Sequence, residues 1–266
     1  MASANDILIN NVYEQVDNII RTVHSTSPKA VVITPSTGSP YLFKAIESVL
    51  AQSFQEILHL IVVDGIEYEQ EVRLISSHFN SERCKIVTLP FNTGKKGMNG
   101  HRIYASFPLL VNSDYIFFLD EDNWWESDHA NSLITLMEFS NIDWAFSMRK
   151  IYTYDQVYVA DDNCESIGDY TPFSGIKKKW PSYVDTNCYA FKRNTIAQTA
   201  HYWYHPLRAD RYFFHQLIVN FPKYSSSKMY TLNYRLKKQG PIAPDYILEG
   251  NQYMKDKYPC GLPWVL

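Results

Sequence analysis

The sequence predicts an α/β domain with a mostly parallel central sheet. Two observations carry that prediction. Short apolar runs alternate with amphipathic segments from residue 30 to residue 139. The runs also stop on polar residues, at Thr34-Pro35, at Asp64-Gly65 and at Asp120-Glu121-Asp122. In open α/β sheets, ligands bind at the carboxyl ends of the strands.

Taken in order, residues 6–23 carry Ile7, Ile9, Val12, Val16, Ile19, Ile20 and Val23 at mostly helical spacing. They read as an amphipathic helix packed on the main domain. Glu14 and Asp17, with few cations nearby, argue against a membrane-surface helix. Residues 30–34 (Ala-Val-Val-Ile-Thr) are a buried-strand run, followed by a Pro/Ser/Gly loop and a helix over 41–52. Residues 58–63 form the second strand, 69–79 a helix and 85–89 the third strand. This order requires right-handed crossovers and parallel pairing. The loop 92–100 holds three glycines and two lysines but lacks the spacing of a phosphate-binding P-loop. A helix over 101–111 follows, with Pro108 kinking or shortening it. His101 and Arg102 lie in its first turn, where cations oppose the helix dipole and an anionic ligand would relieve the conflict. A surface arginine is the plainer reading.

Residues 115–119 are the fourth buried strand, ending at Asp120-Glu121-Asp122. Two carboxylates one residue apart repel each other when ionised. A divalent cation removes that repulsion, and hard oxygen ligands suit Mg²⁺ or Mn²⁺. A solvated acidic turn is the alternative. Beyond it, a helix spans 127–139 and a strand 143–148. Residues 150–182 read as a mobile or substrate-facing insertion carrying Lys177-Lys-Lys-Trp180. Residues 184–191 form a strand with polar residues inside it. A helix opens at Ala209-Asp210, and a last strand covers 229–236. The tail 241–266 has four prolines and is expected to wrap the surface.

The bulk numbers narrow the class. At 266 residues, 45% hydrophobic and 20% charged, the chain can bury a sizeable core. A net charge of −3 gives no broad basic face and excludes nucleic acid as a main partner. Cys84, Cys164, Cys188 and Cys260 are scattered without a C-x-x-C pair, so zinc is not indicated. No apolar stretch approaches a membrane span, and no secretory leader or glycosylation sequon is evident; the expectation is a cytoplasmic protein. The oligomeric state is left open.

In sequence order, the motifs Val31–Ser36, Leu42–Phe54, Ile61–Gly65, Asn92-Thr-Gly with Arg102, Phe118–Asn123 and Ala209–Phe213 resemble a family 2 glycosyltransferase. The resemblance covers residues 29–236. It implies a GT-A fold over 29–240, with a nucleotide-binding half (29–123) and an acceptor half (124–240). It also implies a nucleotide-sugar donor, a saccharide or other hydroxyl acceptor, Mn²⁺ or Mg²⁺, and inversion. Thr34 and Pro35 would border the nucleoside, and Asp64 would accept from the base or, as a strand-end residue, cap the next loop. Arg102 would face the diphosphate or hold Asp64. Asp120 would meet the ribose or metal and Asp122 the metal, with Glu121 pointing away. Asp210 would be the catalytic base or, read from its position alone, an N-cap of the helix that follows; Asp185 is the second candidate base or a donor ligand, and Arg235 would reach the diphosphate or form a structural salt bridge. Ala209 stands where the family usually has an acidic residue. Trp124, Trp125 and Trp203, with Trp180, Tyr202 and Tyr204, could floor an acceptor site, with core packing as the alternative. His205 and His215 could add a metal ligand. Two other functions compete. A sugar nucleotidyltransferase would carry a Gly-rich loop after the first strand, whereas 34–40 has only Gly38. A non-catalytic carbohydrate-binding protein on a degenerate transferase fold is left open by Ala209.

Overall fold

The structure, a computed structural model, describes residues 3–26, 28–170, 183–206, 208–240 and 242–265. The basic stretch 177–180 lies outside them. The strands are β1 (Ala30–Ser36), β2 (Ile57–Val63), β3 (Cys84–Thr88), β4 (Tyr115–Phe118), β5 (Trp124–Trp125), β6 (Trp144–Tyr152), β7 (Tyr158–Asp161), β8 (Tyr189–Lys192) and β9 (Tyr224–Arg235). The helices are α1 (Ala4–Thr26), α2 (Leu42–Leu50), α3 (Glu69–Ser76), α4 (His101–Ser106), α5 (His129–Ser140), α6 (Arg193–Thr199), α7 (Ala209–Asn220) and α8 (Pro244–Lys257).

One nine-stranded sheet runs through both halves, in the order β3-β2-β1-β4-β8-β6-β9-β5, with β7 paired to β6. β3, β2, β1 and β4 are mutually parallel, as the crossover order requires. β8 runs antiparallel to β4 and to β6, so the sheet changes character immediately beside β4. Every residue of β2 and β4 is buried, because helices cover both faces of this part of the sheet. Parallel register then fixes where the polar ends fall. Ile33 pairs with both Leu60 and Phe118, so Pro35, Asp64 and Asp120 emerge at one rim.

Several expectations need correcting. The strand placed at 184–191 is shorter: Thr186–Cys188 form a 3₁₀ turn and pairing begins at Tyr189. The insertion beginning at 150 is not a loose loop in its first part. It holds β7, and Asp162, Cys164, Ser166 and Ile167 are buried. The helix over 101–111 stops at Ser106 and tightens into a 3₁₀ turn at Phe107–Leu109 around Pro108. The tail is not a surface wrap. Pro244 starts α8 at a position where its missing N–H costs nothing. Ile247, Met254 and Trp264 are buried, and Trp264 Nε1 donates to Asn163 Oδ1 at 2.8 Å.

If α8 is part of the core, Ile247→Ala should destabilise the chain by about 2–5 kcal/mol, the usual cost of a buried large-to-small change. Urea denaturation would measure it. A loss under about 0.5 kcal/mol, typical of surface positions, would return the tail to the surface.

Candidate active site

The rim of β1, β2 and β4 opens into a cavity of about 370 Å³. Pro35, Asp64, Gly94, Gly100, His101, Tyr104, Asp120, Asp122, Tyr234 and Lys237 are among the residues that line it. Its wall at 92–100 needs glycine. A Cβ on Gly94 would come 2.3 Å from Asn99 O, and one on Gly100 would come 2.5 Å from Pro35 Cγ.

Asp120 is the most constrained of the acids. Tyr104 Oη donates to its Oδ1 at 2.7 Å, and Asn187 Nδ2 donates to its Oδ2 at 2.8 Å. The Asp120 N–H donates in turn to Asn187 Oδ1. Burial raises the Asp120 carboxyl above its ordinary range, against the Asn187 hydrogen bond that lowers it. The Asp122 carboxylate accepts no hydrogen bond from any described side chain, and burial followed by the Asp120 charge pushes it up to about 7. Glu121 turns to the other side. Its carboxylate accepts from Ser36 Oγ, from Thr37 N and Oγ1, and from Ser39 N, fastening the loop after β1.

Behind Asp120 lies a buried ionic cluster. Asp185 Oδ1 accepts from Asn187 N at 3.0 Å and Nδ2 at 2.7 Å, which fixes the amide that holds Asp120. Asp185 Oδ2 accepts from Arg149 Nη1 at 2.6 Å. Arg149, fully buried, also donates to Asp162 and Glu165, each at 2.7 Å. Burial pushes the Asp162 carboxyl up, but the Arg149 charge and the N–H groups of Cys164, Glu165 and Ser166 outweigh it and hold it low. Glu165 reaches Arg211, the neighbour of Asp210, at 3.3 Å.

The other proposed site residues fall as follows. Pro35 lines the cavity, but Thr34 does not; its Oγ1 lies 2.8 Å from His59 Nε2 inside the sheet. Asp64 lines the cavity with both oxygens engaged, Oδ1 by Thr93 N and Oγ1 and Oδ2 by Gly94 N, which is the loop-capping arrangement. Arg102 is not among the residues that line the cavity and donates from Nη1 to Thr93 O at 3.0 Å. Asp185 is turned from the cavity toward Arg149, which leaves no free oxygen for a donor. Arg235 binds the carbonyls of Asp122 and Tyr154 and lies outside this cavity. Asp210 sits half-buried in the first turn of α7 and accepts from Arg211 N. It does not cap α7 in the usual sense, since Arg208 occupies that position in a left-handed conformation. His101 lies within electrostatic reach of both Asp120 and Asp210; burial nevertheless lowers its pKa.

The aromatic floor is also corrected. Trp124, Trp125 and Trp203 are all buried. Trp125 stacks on His129 at 4.2 Å, Trp203 stacks on Phe213 at 4.5 Å, and Trp124 lies under the Lys44 ammonium. Tyr204 is exposed, and His205 stacks on Tyr212. Sequence reasoning missed Arg149, Asn187, Tyr104 and Lys237. Polar residues inside apolar runs, Arg149 after Met148 and Asn187 before Cys188, were the available signal.

A family model described as "Glycosyl transferase family 2" matches residues 31–198, more than half of the chain. The chain belongs to glycosyltransferase family 2. Among solved structures it is similar to a 1–349 fragment of TarS from S. aureus, at TM-score 0.57 and 15% identity over 78% of this chain and 60% of that one. The same fragment in complex with UDP-GlcNAc gives 0.58 and 16%, over 82% and 63%. In complex with UDP it gives 0.56 and 14%, over 88% and 72%. The chain thus spans less than two thirds of the first two TarS fragments. Curated protein sequences gave no match. The parallel half-sheet with its antiparallel extension is the GT-A fold of this family of transferases.

The cluster behind Asp120 yields a prediction. Arg149→Met would take the ion-pair partner from buried Asp162 and Asp185 and should cost about 3–5 kcal/mol at neutral pH. With the Arg149 charge gone, burial is left to raise the Asp162 carboxyl, which would then take up a proton more readily in the folded than in the unfolded chain. The variant should therefore regain part of its deficit as pH falls from 7 toward 5. Chemical denaturation at several pH values reads this; a deficit independent of pH would contradict the assignment.

Proposed function

We propose that this chain transfers a sugar from a nucleoside diphosphate donor, best read as a UDP-sugar, to a hydroxyl acceptor, with inversion at the anomeric carbon. The observation that supports this most is the carboxylate pair at the end of β4. Asp120 and Asp122 line one cavity, both with raised pKa, and Lys237 is the cation whose charge opposes both shifts. Such a pair carries negative charge that a divalent cation would discharge. No set of three or more metal-ligating His, Cys, Asp or Glu occurs among the described residues. Two carboxylates with donor phosphates completing the shell is the arrangement Mg²⁺ favours. The residues therefore fit Mn²⁺ or Mg²⁺ at Asp122, with Asp120 beside it. When bound, the cation would offset the charge on the departing diphosphate.

The chain's own groups do the rest. Asn187 and Tyr104 fix Asp120, so it meets the donor without reorganising. Pro35 and the 92–100 wall shape the nucleoside end. Asp210 takes the proton from the acceptor hydroxyl as its oxygen attacks the anomeric carbon and the bond to the diphosphate breaks. Asp185 is unsuited to that task because Arg149 and Asn187 occupy its oxygens. The TarS complexes with UDP-GlcNAc and UDP favour uridine in the donor.

Calorimetric titration of UDP with Mn²⁺ should show binding to the wild type and none to Asp122→Ala. Since Asp122 sits at about 7 without a cation, protons compete with the metal. Apparent affinity should fall about tenfold per unit as pH drops below 7 and level off above it. Affinity that does not change between pH 6 and 8 would sink the assignment of Asp122. Asp210→Asn should keep UDP·Mn²⁺ binding while transfer drops by about 10²–10⁴-fold, the size of a lost general base. Retained turnover would place the base elsewhere.

A further inference from the structure

A second cavity of about 210 Å³ lies on the far side of Asp122. Tyr41, Tyr154, Arg235, Lys237 and Lys238 line it, and it shares Glu121, Asp122 and Lys237 with the first. Its charge balance is lopsided. Glu121 has already accepted four hydrogen bonds from the loop after β1, and Asp122 serves the first cavity. Neither lysine ammonium has a hydrogen bond or ion pair among the described residues; Lys238 only approaches the Tyr154 ring, at 5.8 Å. Arg235 is held in place without being neutralised. Its Nε and Nη1 donate to two backbone carbonyls, and its guanidinium lies 3.8 Å over the Tyr41 ring. Three cations thus face one small cavity that holds two carboxylates, of which Glu121 is already engaged by the loop after β1. Tyr41 and Tyr154 meet edge to face at 5.7 Å and supply an apolar wall of the kind that packs on the C–H face of a sugar or polyol.

We infer that this second cavity binds an anionic group, phosphate or carboxylate, carried by the acceptor on a sugar or polyol unit next to the hydroxyl that is glycosylated. The inference rests on the transferase reading for the word acceptor, and on the cavity alone for the anion. A donor's diphosphate belongs in the first cavity, against Asp120 and Asp122. Lys238 lines only the second, so it separates the two.

The test uses the full chain with glycerol 3-phosphate and glucuronate as probes, and glycerol and glucose as neutral counterparts. Binding is measured by calorimetry with and without saturating UDP and Mg²⁺. At least one anionic probe should bind better than its neutral counterpart, and phosphate against carboxylate identifies the preferred group. Lys238→Ser should weaken that probe about fivefold, the upper range for one partly exposed charge contact, and Lys238→Glu should abolish its binding. Both variants should bind UDP as the wild type does. Equal binding of neutral and anionic probes, indifference to both substitutions, or displacement of the probe by UDP would each overturn the proposal. If UDP fails to bind the wild type while the probe binds with the same lysine dependence, the donor assignment falls and the anion site stands.

Discussion

The Arg149 guanidinium, held by Asp162, Glu165 and Asp185, is the contact on which the rest of the site depends. A buried cation with three buried acids is costly to desolvate, and its gain comes only from close geometry. That geometry joins four segments: β6, the turn after β7, the 3₁₀ turn before β8, and, through Glu165 and Arg211, the start of α7. One end of the chain of contacts is Asn187, which grips Asp120 at both its backbone and its side chain. The other end is the residue beside Asp210. Asp120 and the proposed base therefore rest on one polar scaffold that the apolar core surrounds.

The sequence made the first half of this legible because parallel strands buried on both faces leave an unmistakable apolar run, and each run ends at the rim. β1, β2 and β4 were found that way, and with them Asp64, Asp120 and Asp122. The ionic cluster was not legible. Its contacts join residues up to 46 positions apart, and a lone Arg or Asp beside an apolar run does not announce its partner. Asp185 illustrates the difficulty: its polarity was legible, but its orientation is decided by an arginine on β6. The tryptophans failed for a different reason. Trp124 and Trp125 pair with β9, and nothing local says that both faces of a two-residue strand are covered.

Asp64 shows how two sound readings can compete for the same atoms. A strand-end carboxylate can read a base or cap a loop. Thr93 and Gly94 take both of its oxygens, and in doing so they set the wall that Gly100 brings against Pro35. Arg102 acts one step further out, on the Thr93 carbonyl. The wall of this cavity is fixed largely through backbone groups, the N–H groups of Thr93 and Gly94 and the Thr93 carbonyl.

The two ends of the main strand order are β3 and β5, with β7 a further edge beside β6. An open strand edge invites pairing with another chain. At β3 the α1 helix lies alongside, and its Gln15 accepts the Thr88 N–H. At the opposite end β5 offers only two residues, too few for an incoming strand to follow. The brevity of β5 therefore serves two ends at once. It lets the chain turn within a few residues of the acidic triplet, and it denies that flank of the molecule a template for self-association.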